Sequence, residues 1–425
     1  MENTEKKRCI AIVDAYASVG ELVRGFRERG CSVVRVQSTR EVPFVYRSAA
    51  FAPEDFIDDI VHDGDLDATL DALAAHAPTA VVAGGEVGVE FADLLAERLG
   101  LPGNGTALSA ARRDKHTMIE TVRAAGLHAA RQLRVSDVAE LTDWHRELGG
   151  RVVVKPPRSS GGQGIHFCDT PEQSAAAYRA LNAAADVFSQ TNQGAVAQEY
   201  LPGTEYMVNT VSRDGRHHLC DIWRTARISA NGIVDLCDAL TLIDSASREA
   251  DPLRDYAFDV LDALGIRHGP AHVEIRLTPE GPSLVEVGAR IAGGGIPATA
   301  SLGAGEAQLE WTVDAYLDPE RFHARAGTPY EVRRFCAIVG MISPVRGVLD
   351  GYRGIEEIER LESFHTLATL VRPGQEIVPT VDDLTYPVLV TLVHELEEVV
   401  HRDLNTIRHL DGAAFYALDA ARAAA

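Results

Sequence analysis

Residues 272–295 read HVEIRLTPEGPSLVEVGARIAGGG. Two alternating runs, His272 to Leu277 and Leu284 to Gly288, flank Thr278-Pro279-Glu280-Gly281-Pro282-Ser283, whose Pro and Gly residues are turn formers. The stretch therefore reads as a β-hairpin. Symmetry about Glu280 sets Glu274 opposite Glu286 and His272 opposite Gly288, with Cβ atoms about 5 Å apart. Alternation puts His272, Glu274, Glu286 and Arg290 on one face, and Val273, Ile275, Val285 and Val287 on the other, buried face. Like charges directly opposite destabilise a sheet unless a cation sits between them. Hard carboxylate oxygens without cysteine suit Mg²⁺, which keeps waters and takes further ligands from substrate phosphates. Arg290 adds a fixed cation, and Gly293-Gly294-Gly295 lets backbone N–H groups approach an anion. The segment reads as the floor of a phosphoryl-transfer site. The structural alternative is an exposed hairpin whose glutamates pair with nearby arginines.

The rest of the chain bears on that choice. At 425 residues it is long enough for about three compact units. Its 46% hydrophobic and 24% charged content is that of an ordinary globular protein. The net charge of −21 argues against a nucleic-acid or anionic-membrane surface, so an anionic ligand needs local, well-placed cations. Six cysteines without CxxC spacing, no apolar leader and no long apolar run imply a cytoplasmic protein that does not span a membrane. Of the 41 basic residues only four are lysine: Lys6, Lys7, Lys115 and Lys155. In so arginine-rich a chain, a lysine inside the fold suggests a compact point charge on a phosphate.

Taken in order, residues 9–13, 31–36 and 79–83 read as strands, with helices over 18–30 and about 86–99. Alternating β and α elements imply a parallel sheet. Gly84-Gly85-Glu86 ends a strand where such sheets bind ligands, or is simply a tight turn. Lys115 opens a helix that stops at Gly126, and a helix N-terminus with an ammonium makes an anion site. Lys155 ends the strand Val152-Val153-Val154 and precedes the loop Arg158-Ser159-Ser160-Gly161-Gly162-Gln163-Gly164, whose backbone N–H groups can fold over phosphates. The run Ala195 to Glu205, containing Gln198, Glu199, Tyr200 and Leu201, can offer main-chain groups to an adenine edge, with Glu205 reaching ribose hydroxyls. Further antiparallel strands are expected at 206–211, 220–223 and 232–241, and a helix at 251–264. Trp223, Arg224 and Arg227 cover an acyl substrate or form a surface loop. Residues 331–425 read as a small closing subdomain with no chemistry of its own.

Together, Lys115, the VVVK strand, the SSGGQG loop, QEYLPGTE and the VEI…VEVGAR pair resemble the ATP-grasp ligases in order and spacing. The resemblance covers nearly the whole chain. It implies a doubly wound N-terminal α/β domain (1–105), a two-lobed α+β ATP-grasp domain (106–310, lid about 156–200) and a β-rich C-terminal part (311–425) like that of biotin carboxylase. It further implies ATP between the lobes, with Lys115 and Lys155 on its phosphates. Ser160, Gly161, Gly162 and Gly164 would form the lid, and Gln198, Glu199, Tyr200, Leu201 and Glu205 would hold the nucleoside. Glu274 and Glu286 would bind Mg²⁺, with Mn²⁺ as a substitute. Arg290 and Lys155 would serve catalysis, and His272, Arg290, Gly293 and Gly294 would meet substrate. One departure stands out: most of the family carries asparagine where this chain has Gly288. The small-residue form looks like the branch of L-amino-acid ligases of the bacilysin and dapdiamide type. That implies a carboxylate activated as an acylphosphate and joined to an amine, by a homodimer acting on small molecules. The alternatives are an ATP-dependent carboxylase or purine-type ligase, and a nucleotide-binding regulator.

Overall fold

The structure, a computed structural model, describes residues 8–16, 19–43, 53–183 and 194–419. Lys6, Lys7 and part of the expected lid, residues 184–193, lie outside them. Near the N-terminus, four parallel strands lie in the order Asp58–Val61, Ser32–Gln37, Cys9–Val13 and Ala80–Ala83. Ile10 and Ile12 pack on one face with Leu22, Val23 and Phe26 of helix Gly20–Glu28. Cys9, Ala11 and Val13 pack on the other with Leu73 and Leu95 from two further helices. Helices on both faces make this a doubly wound unit. Strand Asp58–Val61 and helix Leu66–Ala75 escape the sequence reading. The strand is a polar edge with only Ile60 buried, so it carries no apolar alternation.

A second, four-stranded antiparallel sheet contains Gln132–Val135, Ala195–Glu199, Val152–Lys155 and His166–Cys168. The third is an eight-stranded antiparallel sheet. Its spatial order is Gly281–Gly288, Gly269–Thr278, Thr204–Arg213, Arg216–Ala230, Ile233–Ile243, Phe335–Gly340, Val388–His394 and Phe364–Thr369. The last three strands come from the C-terminal part, so that part extends the central sheet, bonding directly to Ile233–Ile243.

The hairpin pairs His272 with Gly288 and Glu274 with Glu286, as expected. Its turn is shorter than expected: the strands continue to Thr278 and Gly281, leaving only Pro279 and Glu280 between them. A two-residue turn offsets the register by one from symmetry about Glu280, so one strand must gain a residue before Glu274 can meet Glu286. Val285 is that residue, because Ile275 pairs with Leu284 across a bulge. Val285 therefore turns to the cleft, and fully buried Leu284 takes the core place expected of Val285.

The chain crosses under this hairpin at Leu201-Pro202-Gly203. Gly203 has φ +138°, and a Cβ there would lie 2.2 Å from the Leu277 carbonyl oxygen. Gly203→Ala should destabilise the protein by at least ~1 kcal/mol, read as a lowered thermal midpoint.

Candidate active site

A cleft separates the four-stranded sheet from the eight-stranded one. At one end lie the two internal lysines and the paired glutamates. Asp114 caps the helix Lys115–Ala124, accepting from Thr117 N–H at 2.9 Å, which fixes Lys115 in the first turn. Its ammonium donates to Glu286 Oε1 at 2.8 Å and to the Ser159 carbonyl at 3.1 Å. Lys155 closes the strand Val152–Lys155 and is 3% exposed. Burial and the neighbouring Lys115 charge push its ammonium down to about 8. Glu274 and Glu286 face each other across the hairpin and both line the cleft. Burial favours a neutral Glu274, but the His272 hydrogen bond and the charges of Arg227 and Lys115 hold its carboxyl well below the usual range. The pair with Lys115 shows that these carboxylates sit where a cation is favoured. Among the described residues no group of three or more His, Cys, Asp or Glu is placed to hold a metal ion by itself. Two hard carboxylates with room for phosphate and water fit Mg²⁺ or Mn²⁺ rather than a metal with a closed protein ligand set.

At the other end, Gln198, Glu199, Tyr200 and Leu201 line the cleft with apolar Phe167 and Leu236. Glu199 directs its carboxylate to Arg131 at 2.7 Å, leaving the segment's backbone as its contribution to the wall. Glu205 also lines the cleft, yet it is 3% exposed and held by two arginines: Arg276 Nε at 3.0 Å, and Arg227. Arg276 also bonds Asp235. The sequence reading misses Arg276 and Asp235, because an alternating strand gives no sign of which buried arginine it pairs with. Arg227 is a cleft residue, whereas Trp223 is fully buried and Arg224 points outward to Glu249 at 3.8 Å. The acyl-covering role considered for Trp223 and Arg224 is thus not what these positions provide.

The loop residues Ser160, Gly161 and Gly162 line the cleft. Gly164 does not. It has φ +71°, and a Cβ there would lie 2.9 Å from Pro156 Cγ, so this glycine serves close packing at the loop base. Nor is the C-terminal part chemically silent. Val381, Asp382 and Asp383 complete the cleft wall, and Asp383 N–H donates to the Gly161 carbonyl at 3.1 Å. Burial pushes the Asp383 carboxyl up, and Tyr386 O–H donates to it at 3.0 Å.

His272, Arg290, Gly293 and Gly294 lie outside the walls of this cleft. Arg290 follows the hairpin and donates from Nε to Glu86 Oε2 at 2.9 Å, while Arg113 holds the other Glu86 oxygen. Glu86 is 3% exposed. Burial alone would raise its carboxyl, but Arg113, Arg290 and Lys115 hold it below the usual value. A Cβ at Gly288 would lie 3.0 Å from both Arg290 Cζ and Glu86 Oε2. The arginine–glutamate pair thus fills the space a side chain at 288 would need, which explains the departure noted in the sequence. Gly294 is exposed with φ +65°, and Gly295 caps helix Ile296–Ala304, whose first N–H, on Ile296, donates to the Gly293 carbonyl at 3.1 Å.

Residues 149–298 match the ATP-grasp domain family. Over 98% of its length the chain is 30% identical to dapdiamide A synthase of Enterobacter agglomerans, covering 99% of that protein. The chain belongs to the ATP-grasp family. It is an ATP-dependent ligase that joins a carboxylate to an amine through a C–N bond. An L-arginine-specific L-amino acid ligase of Bacillus subtilis is 24% identical, over 65% of this chain and 66% of its own. The fold matches the crystal structure of L-amino acid ligase from Bacillus licheniformis, with TM-score 0.77 at 19% identity, covering 98% of this chain and 100% of that one. Among the described residues no helix is long and apolar enough to cross a membrane.

In this ATP-grasp ligase the depressed Lys155 value has two consequences. The family resemblance implies nucleotide phosphates on Lys155, and these favour the ammonium form; on that reading ATP affinity should fall as pH rises through about 8, and Lys155→Gln should flatten that dependence in calorimetric titrations. For folding the sign is opposite. The unfolded lysine titrates near about 10.4, so between these values the unfolded chain holds more protons. The cost of burying this charge is complete below about pH 8 and is relieved as pH rises.

Proposed function

We propose that the protein activates the carboxylate of an L-amino acid, or a related small acid, as an acylphosphate and joins it to the amine of a second small molecule. The observation that carries this is the Glu86–Arg290 pair in the space vacated at Gly288, beside the metal-facing glutamates. It fixes a guanidinium on Glu86, a carboxylate that shares the Lys115 charge with Glu274, and a fixed cation there can stabilise the oxyanion of an acyl-transfer step. The full-length likeness to dapdiamide A synthase and the likeness to an L-amino acid ligase support the amide-forming reading.

In this reading Lys115 and Lys155 take the ATP phosphates, and the loop Ser159 to Gly164 folds over them while its anchor on Asp383 keeps the C-terminal wall in place. Glu274 and Glu286 would hold Mg²⁺, which when bound neutralises charge on the transferring phosphoryl group. The substrate carboxylate attacks the γ-phosphorus, forming a C–O–P linkage and releasing ADP. The amine then attacks the acyl carbon, Arg290 offers its guanidinium to the oxyanion, and phosphate leaves. The apolar walls at Phe167 and Leu236 and the closed loop exclude water from the acylphosphate. Release of phosphate from Mg·ATP, measured across single and paired L-amino acids with mass spectrometry of the products, tests this. Phosphate release that needs two amino acids and yields a dipeptide mass is the expected result. ATP binding without any amino-acid-dependent release would overturn the substrate class.

A further inference from the structure

A row of polar side chains runs across the large sheet away from the paired glutamates. Register sets Gly288, His272, Asn209 and Asp221 side by side on four neighbouring strands. Asn209 and Asp221 are completely buried and His272 is 6% exposed. Asp221 Oδ1 accepts from Asn209 Nδ2 and from Trp223 Nε1, the latter at 2.8 Å, while Oδ2 has no hydrogen-bond partner. Among the described residues Asp221 makes no ion pair, and burial pushes its carboxyl up to about 7. A buried carboxylate so placed is costly, and apolar residues of similar size would fill its place at less cost. Its effect on its neighbour gives it a use. Only the NH₂ end of Asn209 can donate to Asp221, so the amide oxygen must face His272, where Nδ1 lies 2.7 Å away. Nδ1–H thereby donates to Asn209, and the other ring nitrogen, Nε2, faces Glu274 Oε1 at 3.5 Å, an ion pair when the ring carries both protons.

We infer that Asp221 and Asn209 are positioning residues that act through His272 to orient the Glu274 carboxylate towards the metal ion. The inference rests on the reading of Glu274 and Glu286 as metal-facing carboxylates. It also revises the role of His272: the ring is occupied on both nitrogens by protein groups, so it serves Glu274 rather than the substrate. Partners of this kind, hydrogen-bonded behind a metal ligand, typically contribute 10- to 100-fold in metal affinity.

The test is Mn²⁺ binding to the full-length protein with ADP, followed by the electron paramagnetic resonance of free Mn²⁺, in Asn209→Leu and His272→Asn. Asn209→Leu removes the amide at equal size; His272→Asn keeps a group for Asn209 but withdraws the contact to Glu274. Both variants should bind Mn²⁺ at least about tenfold more weakly, with ADP affinity in the absence of metal unchanged. Asn209→Leu that melts lower yet binds Mn²⁺ as wild type does would make the row merely structural. Should Asn209→Leu not fold, His272→Asn decides, and wild-type Mn²⁺ affinity in that variant overturns the inference. A wild-type protein that binds ADP but no Mn²⁺ would instead overturn the metal reading itself, and this assignment with it.

Discussion

Glu286→Gln should lower ADP formation by about 10²- to 10³-fold, since a bound cation contributes several kcal/mol at a transferring phosphoryl group and each ~1.4 kcal/mol is a factor of ten. The substitution removes one of only two carboxylates that face each other across the hairpin. It does not leave Lys115 bare, because the glutamine amide oxygen can still accept from the ammonium that now lies 2.8 Å from Glu286 Oε1. Folding should therefore survive, and the loss should appear in turnover rather than in the melting profile. Measured by a coupled ADP assay beside calorimetric nucleotide binding without metal, the expected pattern is a collapsed rate with nearly unchanged affinity. Unchanged turnover would sink the metal assignment.

Arg290→Lys should cost about 10²- to 10³-fold in amide synthesis, the range seen when one preorganised oxyanion donor is lost. Charge is conserved, so the effect isolates geometry. The guanidinium is aimed by its Nε bond to Glu86, and an ammonium on a flexible stem cannot hold that bond and reach a reacting oxygen together. Glu86 keeps Arg113, so its burial stays compensated. Gly288→Asn acts on the same pair from the other side: its Cβ would lie 3.0 Å from Glu86 Oε2 and Arg290 Cζ, so activity should fall although an asparagine is what most of the family carries there. The ratio of phosphate released to amide formed separates these variants from Glu286→Gln. Loss at the acyl-transfer step raises that ratio, because acylphosphate still forms and hydrolyses. A ratio unchanged in Arg290→Lys would remove Arg290 from that step.

Much of this arrangement is legible in the chain because it is local. Valine runs ending in a lysine, a glycine-rich loop and an alternating hairpin each draw their meaning from neighbours in sequence. The strand Val152–Lys155, the helix beginning at Lys115 and the facing glutamates follow from such patterns and are found as expected. Where the reading errs, a long-range fact intervenes. Alternation places Val285 in the core because it assumes an unbroken pleat, and a bulge forced by a two-residue turn breaks it. Spacing sets Gly164 among the lid glycines because it cannot distinguish a glycine that faces a ligand from one that lets Pro156 approach.

By itself, then, the sequence determined which elements form, the order in which the lysines, glycines and glutamates are presented, and, with the family resemblance, the kind of chemistry they serve. Tertiary structure decided what each charged group is bound to. Glu86 and Arg290, 204 positions apart, meet only when the N-terminal sheet packs beside the hairpin, and Asp383 reaches Gly161 only because C-terminal strands extend the central sheet. The row from Asp221 to His272 likewise depends on the strand Gly269–Thr278, distant in sequence, coming to lie beside the hairpin that carries Asn209 and Asp221. The physical reason is the same in each case. Propensity and periodicity act over a few residues, whereas the cost of burying a charge or polar group is met by whichever partner the folded chain brings within reach.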